Sequence, residues 1–326
     1  MKKQITYIEE YVNINGIKQY FLHYPCNSEW VILFLHGGPG QSESLFQYAV
    51  RPAENFCSFV YYDQRGAGKT NLKNKSLSSE VTMASLLADL SETICYIKGK
   101  YHTEKIILLG HSWGSVLGTT YVKMHPHDVC GYIGMGQVIS MFRGERLAYE
   151  RLDEFIKTAN IEKDINTYAS FDGYPFYLTT INFTKEVLRF RRLQKKYGMV
   201  GITGSIGKQV KIILKSPVFR FSDIIPMLNF SALNKHLMDY LIEYDIYDDQ
   251  VYEIPIFYLC GREDWQVPST LAAEYFKQIQ APIKALFWIE NAGHLTDIDN
   301  PSAYNEALKK IVEILKQGIK DESDCE

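Results

Sequence analysis

A serine stands where a predicted strand turns into a predicted helix. Gly110-His111-Ser112-Trp113-Gly114 follows the apolar run Ile106-Ile107-Leu108-Leu109 and precedes Ser115–Val122. At such a junction a G-x-S-x-G sequence forces the serine hydroxyl above the sheet edge, and the flanking glycines relieve backbone crowding. The helix behind it aims free N–H groups and a positive dipole end at the spot where negative charge develops in acyl transfer. Taken alone, the pentapeptide also fits a serine in an ordinary strand-to-helix turn, so its partners must decide.

A hydroxyl nucleophile needs a base, and the base needs an acid to orient it. Gly261-Arg262-Glu263-Asp264 follows the apolar run Ile256–Cys260, and Asn291-Ala292-Gly293-His294 follows Ala285–Ile289. Both lie beyond the carboxyl ends of predicted strands, where catalytic groups of open α/β sheets collect. Singly, Asp264 also fits a helix cap near Pro268, and His294 a hydrogen-bonded loop histidine. Together, in the order Ser…Asp…His, they predict Ser112, Asp264 and His294 as nucleophile, acid and base. Glu263 is expected to point elsewhere, and Asp297 and Asp299 to be surface or helix-entry residues. His111 is expected to diverge from Ser112, as adjacent side chains on a tight turn do, and His125 and His127 to lie at the far end of the helix.

The glycine-rich stretch His36-Gly37-Gly38-Pro39-Gly40 follows the first buried strand, so its backbone can approach a ligand closely. It predicts an oxyanion hole from the N–H groups of Gly38 and Trp113, with His36 and Gly37 in support. Asp63-Gln64-Arg65-Gly66-Ala67-Gly68-Lys69-Thr70 ends like a phosphate-binding loop. Position 63 is Asp where that pattern needs glycine, and Asn71–Ser76 reads as loop-like where it needs a helix. The stretch is instead expected to brace the site, with Asp63 and Arg65 in charge-assisted bonds.

These groups need a scaffold. Ile5–Val12 and Ile17–Tyr24 flank Asn13-Ile14-Asn15-Gly16, a strong hairpin signal. Buried strands are predicted at Val31–Leu35, Phe59–Tyr62, Ile106–Leu109, Tyr132–Met135, Ile256–Cys260 and Ala285–Ile289. Helices are predicted near Leu45–Asn55, along Leu86–Ile97 with Gly99 as its stop, and from Ser115 to about Met124. Others are predicted near Thr270–Gln280 and from about Ala303 to Gln317, closed by Gly318, with Lys320–Glu326 fraying. Strands alternating with helices predict a mostly parallel α/β sheet with an antiparallel N-terminal hairpin. From about residue 139 to 250 helical segments dominate, including Leu147–Thr158 and Lys185–Lys196, with a glycine-rich break at Gly198–Gly207. That is too long for a loop, so 139–250 is expected to be an inserted helical cap on a core made of 1–138 and 251–326. Its aromatic residues, Phe142, Tyr149, Phe155, Tyr168, Phe171, Tyr174, Phe176, Tyr177 and Phe183, are expected to give an aromatic pocket over Ser112.

Composition excludes several classes. Of 326 residues, 46% are hydrophobic and 22% charged, as in ordinary globular proteins. The net charge of -3 offers no basic field for nucleic acid or an anionic membrane. No stretch approaches the roughly 18 apolar residues of a membrane span, and no apolar leader follows Met1-Lys2-Lys3. The six scattered cysteines form no C-x-x-C pair and no metal-spaced cluster, so neither metal nor cofactor is expected and the cytoplasm is the simplest location. Nothing in the sequence fixes an oligomeric state.

The motifs HGGPG at 36–40, DQRGAG at 63–68, GHSWGS at 110–115, GREDWQVP at 261–268 and NAGH at 291–294 together resemble the proline iminopeptidase family of α/β-hydrolases. The resemblance covers 1–138 and 251–316. It implies an α/β-hydrolase fold, Ser112, Asp264 and His294 as the triad, Gly38 and Trp113 as the hole, and removal of N-terminal residues, often proline, from small peptides. Two departures stand out. The family usually has Gly-Gly-Ser-Trp-Gly where this chain has Gly-His-Ser-Trp-Gly, and no tryptophan occurs between Trp113 and Trp265, where the family's cap usually carries a Trp-Glu segment for the substrate amine. Glu145, Glu150, Glu154, Glu186 and Glu243 are the cap carboxylates open to that role. The alternatives are an esterase or amidase of small acyl substrates and a non-catalytic binding protein on the same fold.

Overall fold

The computed structural model describes residues 6–50, 56–74, 81–179, 182–201, 206–228 and 234–323. Strands β1 (Ile8–Ile14) and β2 (Ile17–Tyr24) form the hairpin. Its two-residue turn places Asn15 at φ 45° and Gly16 at φ 80°, the doubly positive geometry that Asn-Gly adopts readily. Six further strands follow: β3 (Val31–Leu35), β4 (Ser58–Tyr62), β5 (Ile106–His111), β6 (Gly131–Met135), β7 (Ile256–Gly261) and β8 (Lys284–Ile289).

They make one sheet of order β1-β2-β4-β3-β5-β6-β7-β8. The hairpin and its junction with β4 are antiparallel, and every later pairing is parallel. Every residue of β3 to β7 is buried, because helices cover both faces and leave no polar side to alternate. Successive residues still divide between two cores. Leu33, Leu35, Leu108 and Tyr132 face one; Ile32, Phe34, Ile107 and Leu109 face the other.

Among the described residues the helices are α1 (Gln47–Val50), α2 (Gly68–Lys73), α3 (Met83–Tyr101), α4 (Trp113–Met124), α5 (Met141–Ala159), α6 (Glu162–Ala169), α7 (Phe183–Lys196), α8 (Ile206–Lys215), α9 (Ile224–Leu228), α10 (Lys235–Glu243), α11 (Ser269–Gln278), α12 (Thr296–Asp299) and α13 (Pro301–Ser323). The first core holds α3, α4 and α11, and the second holds α13. Helices α5 to α10 all lie in the excursion between β6 and β7. Its two ends meet in an antiparallel bridge, Ser140 opposite Asp245, flanked by Ile246 N–H donating to the Ile139 carbonyl at 2.9 Å.

Three expectations need correction. Helix α3 runs through Gly99 and stops at His102, which takes the left-handed cap conformation at φ 51°. Helix α13 runs through Gly318, where a Cβ would come within 2.7 Å of Ile283; the glycine there serves packing and not termination. Gly68–Lys73 is helical although Asn71–Ser76 reads as a loop. The Asp63 carboxylate accepts the Lys69 N–H at 2.7 Å and the Thr70 hydroxyl donates to the Asp63 carbonyl at 2.6 Å, which nucleates the turn. That carboxylate occupies the place at the helix start that a phosphate would need. Of the stretches read from sequence, 1–5, 51–55, 75–76, 202–205 and 324–326 lie outside the described residues.

Two glycines separate packing from propensity. A Cβ on Gly99 would meet nothing within 4 Å, whereas one on Gly114 would lie 2.0 Å from the Leu35 carbonyl oxygen. Gly99→Ala is therefore expected to raise unfolding stability by about 0.5–1 kcal/mol, and Gly114→Ala to lower it by about 2 kcal/mol or more. Urea denaturation of the two variants checks both signs.

Candidate active site

The serine turn is strained, and backbone contacts hold it. Ser112 sits at φ 53° and ψ -119° between β5 and α4, a conformation a non-glycine residue keeps only when its surroundings enforce it. Ser112 N–H donates to the Met135 carbonyl at 3.0 Å, and its own carbonyl accepts from Ser115 N–H at 2.8 Å and from the Ser115 hydroxyl at 2.6 Å. The flanking glycines are required by approach: a Cβ on Gly110 would lie 2.4 Å from the Gly114 carbonyl oxygen.

His294 and Asp264 converge on this turn. Ser112 Oγ lies 3.0 Å from His294 Nε2, and His294 Nδ1 lies 3.0 Å from Asp264 Oδ2. A carboxylate opposite Nδ1 fixes the proton there and leaves the Nε2 lone pair facing the hydroxyl. The two readings of Asp264 coexist, because its other oxygen caps a turn by accepting from Gln266 N–H at 3.0 Å and Val267 N–H at 2.9 Å. Both side chains are buried, and Glu263 is exposed, pointing away as expected.

The excursion between β6 and β7 also reaches this pair, which sequence reasoning missed. His294 N–H donates to the Val200 carbonyl at 2.9 Å, and Trp265 N–H to the Met199 carbonyl at 3.0 Å. Gln194 Nε2 donates to the Trp265 carbonyl at 3.0 Å. The signal was a glycine: Gly201, at φ 148°, comes so close that a Cβ on Gly293 would meet its Cα at 2.4 Å.

On the other side of Ser112 runs the glycine loop after β3. Gly38 has φ 123°, and a Cβ on Gly37 would lie 3.2 Å from that of Ser112. His36 Nε2 accepts from Gln64 N–H at 2.9 Å, so its Nδ1 donates to the Gly37 carbonyl at 2.8 Å. Gln64 also binds the His36 carbonyl and accepts from the Trp113 indole at 3.2 Å. Trp113 opens α4, so its N–H has no intrahelical acceptor. Asp63 and Arg65 stand further out. Asp63 accepts from Ser42 Oγ and the Lys69 N–H, and burial raises its carboxyl above the ordinary value. Arg65 makes a two-pronged pair with Asp89 on α3, both bonds 2.8 Å.

Ser112 opens into a cavity of ≈ 340 Å³. The expected aromatic lining is not found: none of the nine aromatic residues named from the sequence lines it, and the side chain of Phe183 lies outside the described residues. Val187, Leu188, Met238, Leu241, Val267 and Leu271 supply its apolar wall. The rings instead pack on one another, as in Tyr149 on Tyr168 at 4.5 Å and Tyr174 on Phe190 at 4.6 Å between centroids, because the excursion needs them for its own core.

Of the five glutamates, only Glu145 is buried and lines the cavity. It is already paired: Arg191 binds both its oxygens and the Tyr174 hydroxyl donates to it. Glu150, Glu154 and Glu186 pair with arginines on their own helices, and Glu243 is exposed.

His111 and Asp297 take part in a cluster that the sequence did not show. The His111 ring turns to Glu43 and His294: it stands 4.9 Å from the ring of His294, with Nε2 2.9 Å from the His294 carbonyl and Nδ1 2.8 Å from Glu43 Oε1. Asp297 lies on α12 as expected for a helix-entry residue, yet it is buried beside them, and burial lifts its carboxyl to about 6. Spacing along the chain could not reveal this cluster, since Glu43, His111 and Asp297 meet only through the sheet. Among the described residues, no group of three His, Cys, Asp or Glu side chains could hold a metal, and no helix is long and apolar enough to cross a membrane.

Comparison with known proteins fits this geometry. A family model described as alpha/beta hydrolase fold matches residues 31–301. A probable aminopeptidase of Bacillus subtilis (strain 168) is 25% identical over 95% of this chain and 97% of its own length. A proline iminopeptidase of Saccharolobus solfataricus is 25% identical over 96% of this chain and 95% of its own. Among solved structures, a proline iminopeptidase of Mycobacterium smegmatis shares the fold with a TM-score of 0.66 at 13% identity, covering 96% of this chain and 100% of that one. An esterase of Exiguobacterium antarcticum does so with a TM-score of 0.60 at 18% identity, covering 95% and 100%. The resemblance to proline iminopeptidases read from the motifs thus extends over nearly the whole chain, and with a family match from residue 31 to 301 the chain belongs to the α/β-hydrolase fold family.

Proposed function

We propose that the chain is a serine hydrolase of small amides or esters. Ser112 attacks the substrate carbonyl while its proton passes to His294 Nε2, and Asp264 orients and stabilises the imidazolium that forms. The N–H groups of Gly38 and Trp113 bind the oxygen as it becomes negative. His294 then protonates the departing amine or alcohol, and water, activated by the same histidine, releases the acyl group. The observation that carries this reading is the unbroken line of two 3.0 Å contacts from Ser112 through His294 to Asp264, at the floor of the cavity. In this reading residues 139–250 form a cap that admits small substrates and excludes folded proteins. The chemistry needs no metal or cofactor.

The finer reading is an aminopeptidase that releases N-terminal residues, proline or other small apolar ones, from short peptides. The names of the two 25%-identical relatives support it, as does a buried carboxylate, Glu145, in the cavity wall. One observation favours the esterase or amidase alternative. Arg191 already neutralises Glu145, so a substrate ammonium there would meet a cation as well as an anion.

Ser112→Ala is expected to lower kcat by about 10³-fold or more while the thermal midpoint stays near that of the parent, since the hydroxyl adds little packing. Parallel kinetics and thermal unfolding check this. The two substrate readings separate on one prolyl or alanyl arylamide, free and N-acetylated, beside short-chain aryl esters. For an aminopeptidase, acetylation should cost about 2 kcal/mol, roughly thirtyfold in kcat/KM. Equal rates for the two amides would establish the esterase or amidase.

A further inference from the structure

Both ring nitrogens of His111 face acceptors. The His294 carbonyl can only accept, so Nε2 carries a proton, and at 2.8 Å from the Glu43 carboxylate Nδ1 must carry one as well. A neutral ring would aim a lone pair at one of these two acceptors. The same Glu43 oxygen accepts the N–H of Gly37 at 3.1 Å, so it serves as an ionised acceptor toward two donors. One charge pair, with His111 buried and Glu43 half-buried, therefore ties three segments together: the end of β5 that carries Ser112, the loop that carries His294, and the glycine loop beside the serine.

We propose that His111 is a positioning residue held as an imidazolium: it fixes the backbone of His294 directly and, through Glu43, that of Gly37. This rests on the serine-hydrolase reading above, and it gives that chemistry an alkaline limit. When His111 loses its proton, the ring can donate to only one of its two acceptors, so either Glu43 or the His294 carbonyl loses its bond and the base and the glycine loop no longer share an anchor. Displacements of about 1 Å in such groups cost up to roughly 10²-fold in rate.

The electrostatic surroundings set where this happens. Burial opposes the charge on His111, but Glu43, Asp297 and the His294 carbonyl overcome it and lift the ring to about 9. Burial likewise opposes ionisation of Glu43, yet His111 and the Gly37 N–H hold its carboxyl below the ordinary value. The titratable groups facing the pair are thus Glu43 before α1, His36 after β3, His294 after β8 and Asp297 on α12. The His111 value lies above the unfolded value of about 6.5, so its stabilisation is complete below that pH and is lost as pH rises through about 9.

The test uses a short-chain aryl ester, which has no amine to titrate, with Ser112→Ala as the blank for spontaneous hydrolysis. Wild-type kcat is expected to fall above about pH 9 with KM little changed. Glu43→Gln removes the counter-ion and should move that limb down by about one pH unit or more. His111→Gln should lower kcat about tenfold at neutral pH and abolish the limb. Nitrogen-15 NMR of the wild-type histidines should show one ring still protonated at both nitrogens at pH 8, missing from His111→Gln. A limb that Glu43→Gln does not move, or the lack of that imidazolium signal, would overturn the proposal even if His111→Gln fails to fold. Ser112→Ala that turns over like the parent would defeat the serine-hydrolase reading itself. An inert Ser112→Ala with flat His111 and Glu43 arms would defeat this inference alone.

Discussion

Everything at the site depends on how closely helix α4 approaches the end of strand β3. Gly114 lies against the Leu35 and His36 carbonyls with no room for a Cβ, and that contact brings the start of α4 beside the glycine loop. From it follows the Ser112 turn, which the Met135 carbonyl and Ser115 then secure. The strain at Ser112 is tolerable because the parallel core around it is buried on both faces and cannot relax locally. A rigid sheet thus stores the conformation that lifts the hydroxyl into the cavity.

The excursion between β6 and β7 contributes more than a wall. Its backbone carbonyls at Met199 and Val200 receive the N–H groups of Trp265 and His294, so one short segment grips the loops that carry both Asp264 and His294. Two further bonds reach the same region: Gln194 Nε2 donates to the Trp265 carbonyl, and Gly293 N–H donates to the Asp299 carboxylate. Any movement of this segment must therefore act on the orientation of the histidine as well as on access to the cavity.

Much of this was legible in the sequence, and the limits have physical causes. The apolar runs from Val31–Leu35 to Ile256–Cys260 reported their strands because a strand covered on both faces has no other way to be written. Asn15-Gly16 reported its turn, and Ser112, Asp264 and His294 fell at strand ends where they meet. Gly99 and Gly318 misled because glycine permits a helix end without enforcing one, and both helices run on past it. The aromatic residues of 139–250 misled because hydrophobic content does not say which core a ring serves. His111 was set aside because adjacent side chains on a tight turn diverge, and Asp297 as a surface or helix-entry residue. Their meeting with Glu43 depends on parallel pairing of β3 with β5, a contact that no local pattern encodes.

The cluster around His111 also answers an electrostatic difficulty. In the proposed acylation step His294 becomes a cation, with its ring 4.9 Å from the ring of His111. A bare imidazolium at that distance would raise the barrier by like-charge repulsion, more strongly in a buried site than in water. His111 instead comes with Glu43 in direct contact and Asp297 nearby, so the field reaching His294 is that of a compensated group. Asp264 then supplies the anion that the catalytic cation needs on its other side. A glycine at position 111 would avoid the repulsion but leave Glu43 without its cation and the His294 carbonyl without its donor. Under the proposed mechanism the histidine is compatible with catalysis only because its counter-ions are built in beside it, which would make Glu43 and Asp297 part of the same device.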